Sequence, residues 1–431
     1  MSKNFPITSD AEIQQRYELA KKAFADLGVD TEAAMKTLAE TPFSLHCWQG
    51  DDVHGFEVHE GAVNGGGIMS TGNYPGCAAS PEQLRCDAER VLKLVPGKKR
   101  FNLHAIYAET DGKVVDRDEI GPEHFAKWMK WAKEMGIALD FNPTFFAHPL
   151  ADSGYTLSNR DKKIRDFWIR HDKQCRLIAA AMGEAQGSPC IVNHWIPDGA
   201  KDQPTDRLTP RQLLKDSYDQ IFAEKLNPAF IRDGLESKVF GIGMEDYTVG
   251  SHEFYMNYVA SRPEKDLMLT FDMGHFHPTE TIDDKISSVA TFQKELLIHV
   301  SRPIRWDSDH VVIFNDDLRN LFLQLVRCKF LKNTYLALDF FDGSINRVGA
   351  WVVGTRAAQK AALYALLEPT ETLDEFEKNG DGAMKLALLE ELKGAPWEAV
   401  YDEFCRRAGV PVGPAWINDL VEYDRTVARC R

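Results

Sequence analysis

Short apolar segments alternate with longer amphipathic segments along almost the whole chain. Eight of the apolar segments are candidate strands, at 43–48, 101–107, 137–142, 190–195, 231–238, 267–272, 296–300 and 335–339. Between them lie stretches with the period of a helix, including 82–94, 122–135, 163–182, 211–226, 282–294 and 318–330. Eight strands that alternate with helices predict an α/β protein of the (β/α)8 TIM-barrel class.

Two of the predicted helices have a recognisable start signal. Ser80 stands before Pro81 and Thr209 before Pro210, so each pair places a capping hydroxyl ahead of a proline. We therefore expect a helix to begin at each of these positions.

An open, doubly wound sheet is the alternative to a barrel, and it normally carries a glycine-rich phosphate-binding turn after its first strand. The dense glycine stretch at 61–76 lacks a following phosphate-binding lysine and a strand-to-helix pattern. We interpret it as a loop after the first strand, where it is suited to act as a flap over a site.

The pattern divides the chain into two regions. Residues 1–369 form the predicted barrel together with an N-terminal helix. Residues 370–431 are charged and of helical period, with no further strand pattern. We expect this second region to be a C-terminal helical extension that serves as an oligomer contact.

Composition narrows the class of partner. The 431 residues carry a formal net charge of −14, which argues against nucleic acid or an anionic membrane surface as the main partner. The eight cysteines are scattered without a CxxC pair, as in reduced proteins. The first ten residues do not resemble a signal peptide, and no apolar run reaches the roughly 18 residues of a membrane span. These features predict a cytoplasmic protein that handles a neutral or cationic ligand.

Polar side chains of the kinds that bind metals and substrates fall within the predicted strands or near their carboxyl ends. They are His104, His194, Trp195, Glu236, Lys238, Asp272, His275, His299, Asp307, Asp309 and Asp339. In a parallel barrel all these strand ends meet on one face, where enzymes of this fold place their active sites. The sequence therefore predicts a site on that face.

The residue types indicate a metal site. Carboxylates and imidazoles together suit Mn²⁺, Mg²⁺, Co²⁺ or Zn²⁺, and the lack of a thiolate cluster disfavours structural zinc. Asp307 and Asp309 are two residues apart, so in an extended segment they point to the same side and can grip one cation. The negative charge of five carboxylates offsets the positive charge of two divalent ions plus Lys238; the five are Glu236, Asp272, Asp307, Asp309 and Asp339. Without metal these carboxylates would repel one another.

Each of these residues taken singly has an ordinary structural interpretation. An Asp at a strand end is more often a helix cap than a ligand, and His299 fits a core histidine equally well. His275 and His277 form an HxH pair of the kind found in metal hydrolases, but so short a match arises often by chance. Packing does not explain the convergence of so many such residues at consecutive strand ends.

Five longer segments resemble the bacterial L-rhamnose isomerase family, within the xylose-isomerase-like barrel superfamily. They are NLHAIYAE at 102–109, GIGMEDYTVGSHEFYMNY at 241–258, DMGHFHPTE at 272–280, HVSRPIRWDSDHVV at 299–312 and LDFFDGSINR at 338–347. The resemblance covers essentially the whole chain. It implies a cytoplasmic homotetramer with two divalent ions per subunit, typically Mn²⁺, that interconverts L-rhamnose and L-rhamnulose in rhamnose catabolism.

The resemblance also implies a role for individual residues. Those that match the ligands of a structural metal are Glu236, Asp272, His299 and Asp339. Those that match the ligands of a second, catalytic metal are His275, Asp307 and Asp309.

Further matches concern the substrate. Lys238 matches a lysine that assists O1 of the sugar, and we count it as catalytic together with His275 and Asp339. His104 and Trp195 match positions in the substrate pocket. Glu245 competes with Glu236 as a ligand, but only Glu236 reproduces the Glu-x-Lys pattern.

Two routes exist for aldose–ketose exchange, a proton transfer through an enediol and a hydride shift between carbons. The site contains metal ligands and no obvious free base, so we favour a hydride shift assisted by two metals. The alternatives are a metal-dependent hydrolase on the same barrel, a non-catalytic sugar- or metal-binding protein, and an isomerase of another aldose.

Overall fold

The computed structural model describes residues 4–57, 70–241, 243–264 and 266–431. The strands within these residues are β1 Phe43–His46, β2 Lys99–His104, β3 Ala138–Asn142, β4 Cys190–His194, β5 Gly199–Ala200, β6 Ile231–Glu236, β7 Tyr247–Thr248, β8 Leu267–Asp272, β9 Leu296–Val300 and β10 Thr334–Leu338. The helices are α1 Asp10–Ala25, α2 Thr31–Glu40, α3 Pro81–Leu92, α4 Ala126–Met135, α5 Lys162–Gln186, α6 Leu208–Ile221, α7 His252–Ser261, α8 Asp283–Phe292, α9 Asp316–Arg327, α10 Arg347–Leu366, α11 Thr370–Lys378, α12 Gly382–Lys393, α13 Trp397–Arg407 and α14 Trp416–Thr426.

Eight strands close into a parallel barrel in the order β1-β10-β9-β8-β6-β4-β3-β2. Every predicted strand is present in this barrel, so the TIM-barrel prediction is confirmed and the open doubly wound sheet is excluded. The two remaining short strands, β5 and β7, pair with each other in antiparallel fashion outside the barrel. Because all eight barrel strands run the same way, their carboxyl ends share one face of the molecule.

The helix start signals had different outcomes. The Ser80 hydroxyl accepts a hydrogen bond from the backbone N–H of Gln83, which confirms this residue as the cap of α3. The helix expected near Thr209 is present, but it begins one residue earlier at Leu208, so Thr209 is not its cap. The carboxylate of Asp206 accepts from the N–H groups of Leu208 and Thr209, so an acidic side chain replaces the expected hydroxyl.

The glycine stretch after β1 can be compared with the structure only in part. Most of the glycine stretch interpreted as a flap, residues 61–69, lies outside the described residues. Residues 70–76 follow an irregular path without helix or strand.

In the part of the chain that the structure describes, we find no helix both long and apolar enough to span a bilayer.

The C-terminal helices pack back onto the N-terminal part of the chain. Helix α13 lies against α1 and α2, and α10 packs on α9, α2 and α3. Ion pairs reinforce these contacts: Arg407 lies 2.6 Å from Glu32 of α2, and Arg431 lies 2.7 Å from Asp87 of α3. The chain after β10 therefore completes the helical layer around the barrel on the side of its first strands.

A buried charged network joins α5 to β4 and β6. The two ring nitrogens of His194 lie 2.9 Å from Asp172 Oδ1 and 3.0 Å from Asp233 Oδ1. Arg176 donates two hydrogen bonds to the Asp233 carboxylate, at 3.1 and 3.0 Å. Burial by itself would lower the pKa of His194, but Asp172 and Asp233 raise it to about 9. The network therefore contains an imidazolium between two carboxylates.

The His194 network predicts a pH-dependent stability. Its pKa is raised above the ordinary value of about 6.5, so the stabilisation is complete below that pH and is lost as the pH rises through 9. We expect the free-energy difference of unfolding between the wild type and His194→Gln to shrink by about 3 kcal/mol from pH 6 to pH 10. Urea unfolding at each pH, monitored by circular dichroism, measures this difference in the free energy of unfolding. The exposed His277→Gln variant is the control, and a difference independent of pH would contradict the imidazolium.

Candidate active site and metal centre

A cavity of about 410 Å³ opens at the carboxyl ends of the barrel strands. Glu236 is the last residue of β6, Asp272 the last of β8, and Asp339 follows β10 directly. The predicted site residues that line the cavity are His104, Trp195, Glu236, Lys238, His275, Asp307, Asp309 and Asp339. The strand ends thus bring side chains that are far apart in sequence to one place.

One group of four buried side chains lies at the floor of this face. Each contributes one donor atom, and these four atoms all lie within 4.8 Å of one another; the residues are Glu236, Asp272, His299 and Asp339. The Nδ1 atom of His299 lies 2.8 Å from Asp339 Oδ2 and 3.4 Å from Glu236 Oε1. This group is the same set that the resemblance implied for the structural metal.

A second group contains Asp272, His275 and Asp307, again within 4.8 Å of one another. His275 Nε2 lies 3.2 Å from Asp307 Oδ2, and Lys238 Nζ lies 2.6 Å from the same oxygen. Asp272 belongs to both groups, so they adjoin through one carboxylate. The resemblance had divided the residues differently, with Asp272 on the first ion only and Asp309 on the second.

The charges in the two groups strongly perturb one another. Burial raises the pKa of Asp272, and the nearby carboxylates of Asp339 and Glu236 raise it further. Burial also raises the pKa of Asp309, and the Asp307 carboxylate adds to that shift. Burial alone would lower the pKa of His299, yet Glu236 and Asp339 raise it well above its usual value. Positive charge is therefore strongly favoured at this position.

The donors fit a divalent cation. Within the described residues, Asp272 Oδ2, Asp307 Oδ1 and Asp339 Oδ1 are buried without a hydrogen-bond partner, and an unpaired buried carboxylate oxygen is costly unless a cation satisfies it. The Nδ1 atom of His275 lies 2.9 Å from the Ser237 carbonyl and donates to it. That bond leaves the lone pair of His275 on Nε2, which faces Asp307 and is free to bind a metal.

Neighbouring groups hold the carboxylates in place. The Ser301 hydroxyl donates to Asp272 Oδ1 at 2.8 Å, and the Gly274 N–H donates to the same oxygen at 2.5 Å. The side-chain amide of Asn193 donates to Glu236. Such outer contacts orient the ligands of metal sites before the ion arrives.

Three further residues considered in the sequence analysis differ in their position relative to these groups. Asp309 lines the cavity but has φ +42°, so the segment is not extended there and strand alternation does not align its carboxylate with Asp307. His277 is exposed and lies 2.8 Å from the Thr279 hydroxyl, so the HxH pair does not converge on one point. Glu245 is exposed, whereas Glu236 is buried within the first group.

Sequence reasoning missed His46 altogether. His46 ends β1, is fully buried, and its Nδ1 lies 3.2 Å from Asp339 Oδ1. Its ring centroid lies 5.0 Å from that of His299. The available signal was the polar alternation of Ser44 and His46 in an otherwise apolar strand, which marks the barrel interior.

Part of the cavity wall is aromatic. Trp48 stacks on His104 with ring centroids 4.1 Å apart and meets Phe341 edge-on at 5.5 Å. Phe146 and Trp195 continue the wall with centroids 6.1 Å apart. A charged floor and an apolar wall suit a small polyol that has one reactive polar end.

Gly274 gives a direct test of the space between the two groups. A Cβ at this position would lie 2.6 Å from Asp307 Oδ1 and 3.1 Å from Asp272 Oδ1. We expect Gly274→Ala to displace these carboxylates and to weaken Mn²⁺ binding at least tenfold, as measured by calorimetry on metal-free protein. Gly382→Ala is the matched control, because a Cβ there meets nothing within 4 Å. Equal affinity of the two variants would mean that the groups do not bind the ion.

A family model described as L-rhamnose isomerase (RhaA) matches residues 11–431. An L-rhamnose isomerase of Mannheimia succiniciproducens is 53% identical over 415 residues, which cover 96% of this chain and 98% of the relative. An L-rhamnose isomerase of Listeria innocua is 52% identical over 418 residues, which cover 97% of this chain and 98% of the relative. The similarity therefore extends over both the barrel and the C-terminal helices.

Solved structures of similar shape are much more distant in sequence. A xylose isomerase domain protein of Alicyclobacillus acidocaldarius is 13% identical, covers 76% of this chain and 99% of its own, and has a TM-score of 0.48. A D-psicose 3-epimerase of Clostridium cellulolyticum H10 with D-tagatose is 12% identical, with the same coverage and a TM-score of 0.47. The fold assignment rests on the strand order of this chain itself.

Proposed function

The chain belongs to the L-rhamnose isomerase family and is an aldose–ketose isomerase, and we propose that L-rhamnose and L-rhamnulose are interconverted in the cavity at the carboxyl ends of the barrel strands. The observation that carries this proposal is the pair of buried ligand groups that share Asp272 and face an aromatic wall. Two adjoining cation sites suit a substrate whose reacting oxygens are on neighbouring carbons.

Two divalent ions, with Mn²⁺ in both positions, are the cofactors of this proposal. The residues assigned to the structural ion are Glu236, Asp272, His299 and Asp339, and those assigned to the catalytic ion are His275, Asp307 and Asp309. When bound, the ions supply Lewis-acid polarisation of the two substrate oxygens. The unpartnered carboxylate oxygens of Asp272, Asp307 and Asp339 support this assignment.

Lys238 is the residue proposed to act on O1 of the sugar. Burial would lower its pKa, but Asp307 at 2.6 Å raises it, so the side chain is an ammonium. The ammonium lies 4.9 Å from the centre of the Trp195 ring, which holds it against the cavity wall. From this position it donates a hydrogen bond to O1 as negative charge develops there.

The aromatic wall excludes water from the reacting carbons, which favours a hydride shift over a proton transfer. In the forward direction the C2–H bond breaks and a C1–H bond forms with the same hydrogen nucleus and its electron pair. The O2 hydroxyl loses its proton to become the ketone, and O1 gains one to become a hydroxyl. Trp48, His104 and Phe341 form part of this wall.

Deuterium at C2 of L-rhamnose distinguishes the two routes. A hydride shift retains the label, so we expect L-rhamnulose made in ordinary water to carry one deuterium at C1 after a single turnover. Mass spectrometry and proton NMR of the product measure it. Label lost to the solvent at a rate comparable with turnover would establish a proton transfer through an enediol.

We also propose that the protein is a cytoplasmic homotetramer in which the helices after residue 369 form part of the contact. Met384 and Leu386 on α12 are each 61% exposed, which is unusual for large apolar side chains. Contact with another subunit would cover them. Cell fractionation of a strain that expresses the native chain tests the location.

The oligomer proposal predicts a change of mass. Sedimentation velocity should give four times the mass of one chain for the wild type, and a smaller species for the double variant Met384→Glu, Leu386→Glu. Glu391→Lys, an exposed change on the same helix, is the control. A monomeric wild type would contradict the tetramer, and a tetrameric double variant would exclude α12 from the contact.

A further inference from the structure

Three buried polar side chains are hydrogen-bonded in a row across β2 and β3. Asn102 Nδ2 donates to Asn142 Oδ1 at 3.4 Å, and Asn142 Nδ2 is 3.1 Å from His104 Nε2. His104 and Asn142 are direct partners in the register of the two strands, so their side chains leave the barrel wall side by side. The row runs from the barrel interior to the cavity, which both His104 and Asn142 line.

We propose that Asn142 is a positioning residue that fixes the tautomer of His104, so that Nδ1 carries the proton and donates to an oxygen of the bound sugar. An amide N–H can only donate, so Nε2 of His104 must offer its lone pair to Asn142. In a neutral imidazole the proton is then on Nδ1. This proposal rests on the proposed function of the cavity.

The other nitrogen of His104 supports this inference. Nδ1 is buried and has no hydrogen-bond partner among the residues that the structure describes. Native proteins rarely leave a buried donor unsatisfied, and a sugar oxygen bound in the cavity that His104 lines is the partner that we assign to it. A hydroxyl or ether oxygen of a sugar accepts a hydrogen bond readily and has the right chemistry.

The ring has little freedom to present a different atom. Trp48 stacks on it at 4.1 Å with an interplanar angle of 30°, and the Asn142 bond fixes the opposite edge. Burial lowers the pKa of His104 well below its usual value, and the neighbouring His46 lowers it further, so the ring is neutral. The tautomer therefore decides whether Nδ1 of His104 acts as a hydrogen-bond donor or as an acceptor toward a bound ligand.

A fixed donor has a consequence for the reaction. With Nε2 engaged and Nδ1 protonated, His104 binds a sugar oxygen but is not available as a base for C2–H. The arrangement thus removes the imidazole that a proton transfer through an enediol would use. It agrees with the hydride shift, although the two can be tested separately.

Neutron diffraction on deuterium-exchanged crystals tests the tautomer directly. We expect deuterium on His104 Nδ1 and none on Nε2 in the wild type. Deuterium on Nε2 would mean that both amides have the opposite orientation, and it would overturn the proposal. If the crystals show this while the enzyme still isomerises L-rhamnose, only the tautomer is wrong; a wild type without that activity would refute the proposed function.

The pH profile of two matched variants supplies a functional test. The carboxylate of Asn142→Asp would accept from Nε2, so Nδ1 would carry a proton only while the ring is an imidazolium. We expect kcat/KM of this variant, relative to the wild type, to fall at least tenfold from pH 6 to pH 9. Asn142→Leu removes the bond without adding charge, so its ratio should be low but constant with pH.

Other ionisable groups near the ring must be common to all three proteins for this comparison. They are His46 from β1, Glu236 from β6, His299 from β9 and Asp339 after β10. Each is unchanged in the variants, so division by the wild-type profile removes the part of their titration that the three proteins share. A ratio for Asn142→Asp that stays flat with pH would overturn the proposal, and if this variant fails to fold the neutron experiment still decides.

Discussion

Mutual repulsion among buried carboxylates is the constraint on which the rest of this site depends. Four acidic side chains from separate strands and loops, Glu236, Asp272, Asp307 and Asp339, lie within two adjoining groups that exclude most solvent. In such a medium like charges destabilise one another strongly unless positive charge is near. Lys238 contributes part of that charge, and divalent cations are suited to supply the rest. The site is thus built so that cation binding relieves a repulsion already present in the fold.

The parallel barrel makes this concentration of charge possible. Several strands place a polar residue at or directly after their carboxyl end, as with Glu236 of β6, Asp272 of β8 and Asp339 after β10, and apolar residues of the same strands lie in the core. The destabilising charges are held by neighbours that do not belong to the ligand groups, such as Ser301 on Asp272 and Asn193 on Glu236. Away from the cavity the His194 network fixes β4 and β6 against α5. The ligands are therefore oriented by the protein and need little rearrangement on binding.

The fold could be predicted from the sequence because hydrophobic periodicity records it directly. The bounds of β8 and β9 agree with the prediction to the residue, since each strand is a mostly apolar run that ends at a polar residue or a turn. Several other predicted strands were too long at their carboxyl ends, where short 3-10 turns or loops follow, as at Cys47–Gln49 and Ala105–Tyr107. The pair β5 and β7 was missed because two-residue strands carry no periodicity.

The site could be predicted only in part. Residues at strand ends were found, but the sharing of Asp272 by two groups depends on distances between side chains that the sequence does not contain. The turn at Asp309 depends on a positive φ in a non-glycine residue, which no local pattern indicated. His46 and Asn142 were not identified because neither belongs to a chemical motif, and a single polar residue in a strand does not show by itself which side chains it will meet.

The central claim is that the two groups of ligands around Asp272 each hold one divalent ion. Anomalous diffraction at the manganese edge, from crystals of the Mn²⁺-loaded enzyme, tests it most directly. The account predicts two peaks, one among Glu236, Asp272, His299 and Asp339, and one beside His275 and Asp307. A single peak, or peaks away from these residues, would contradict it.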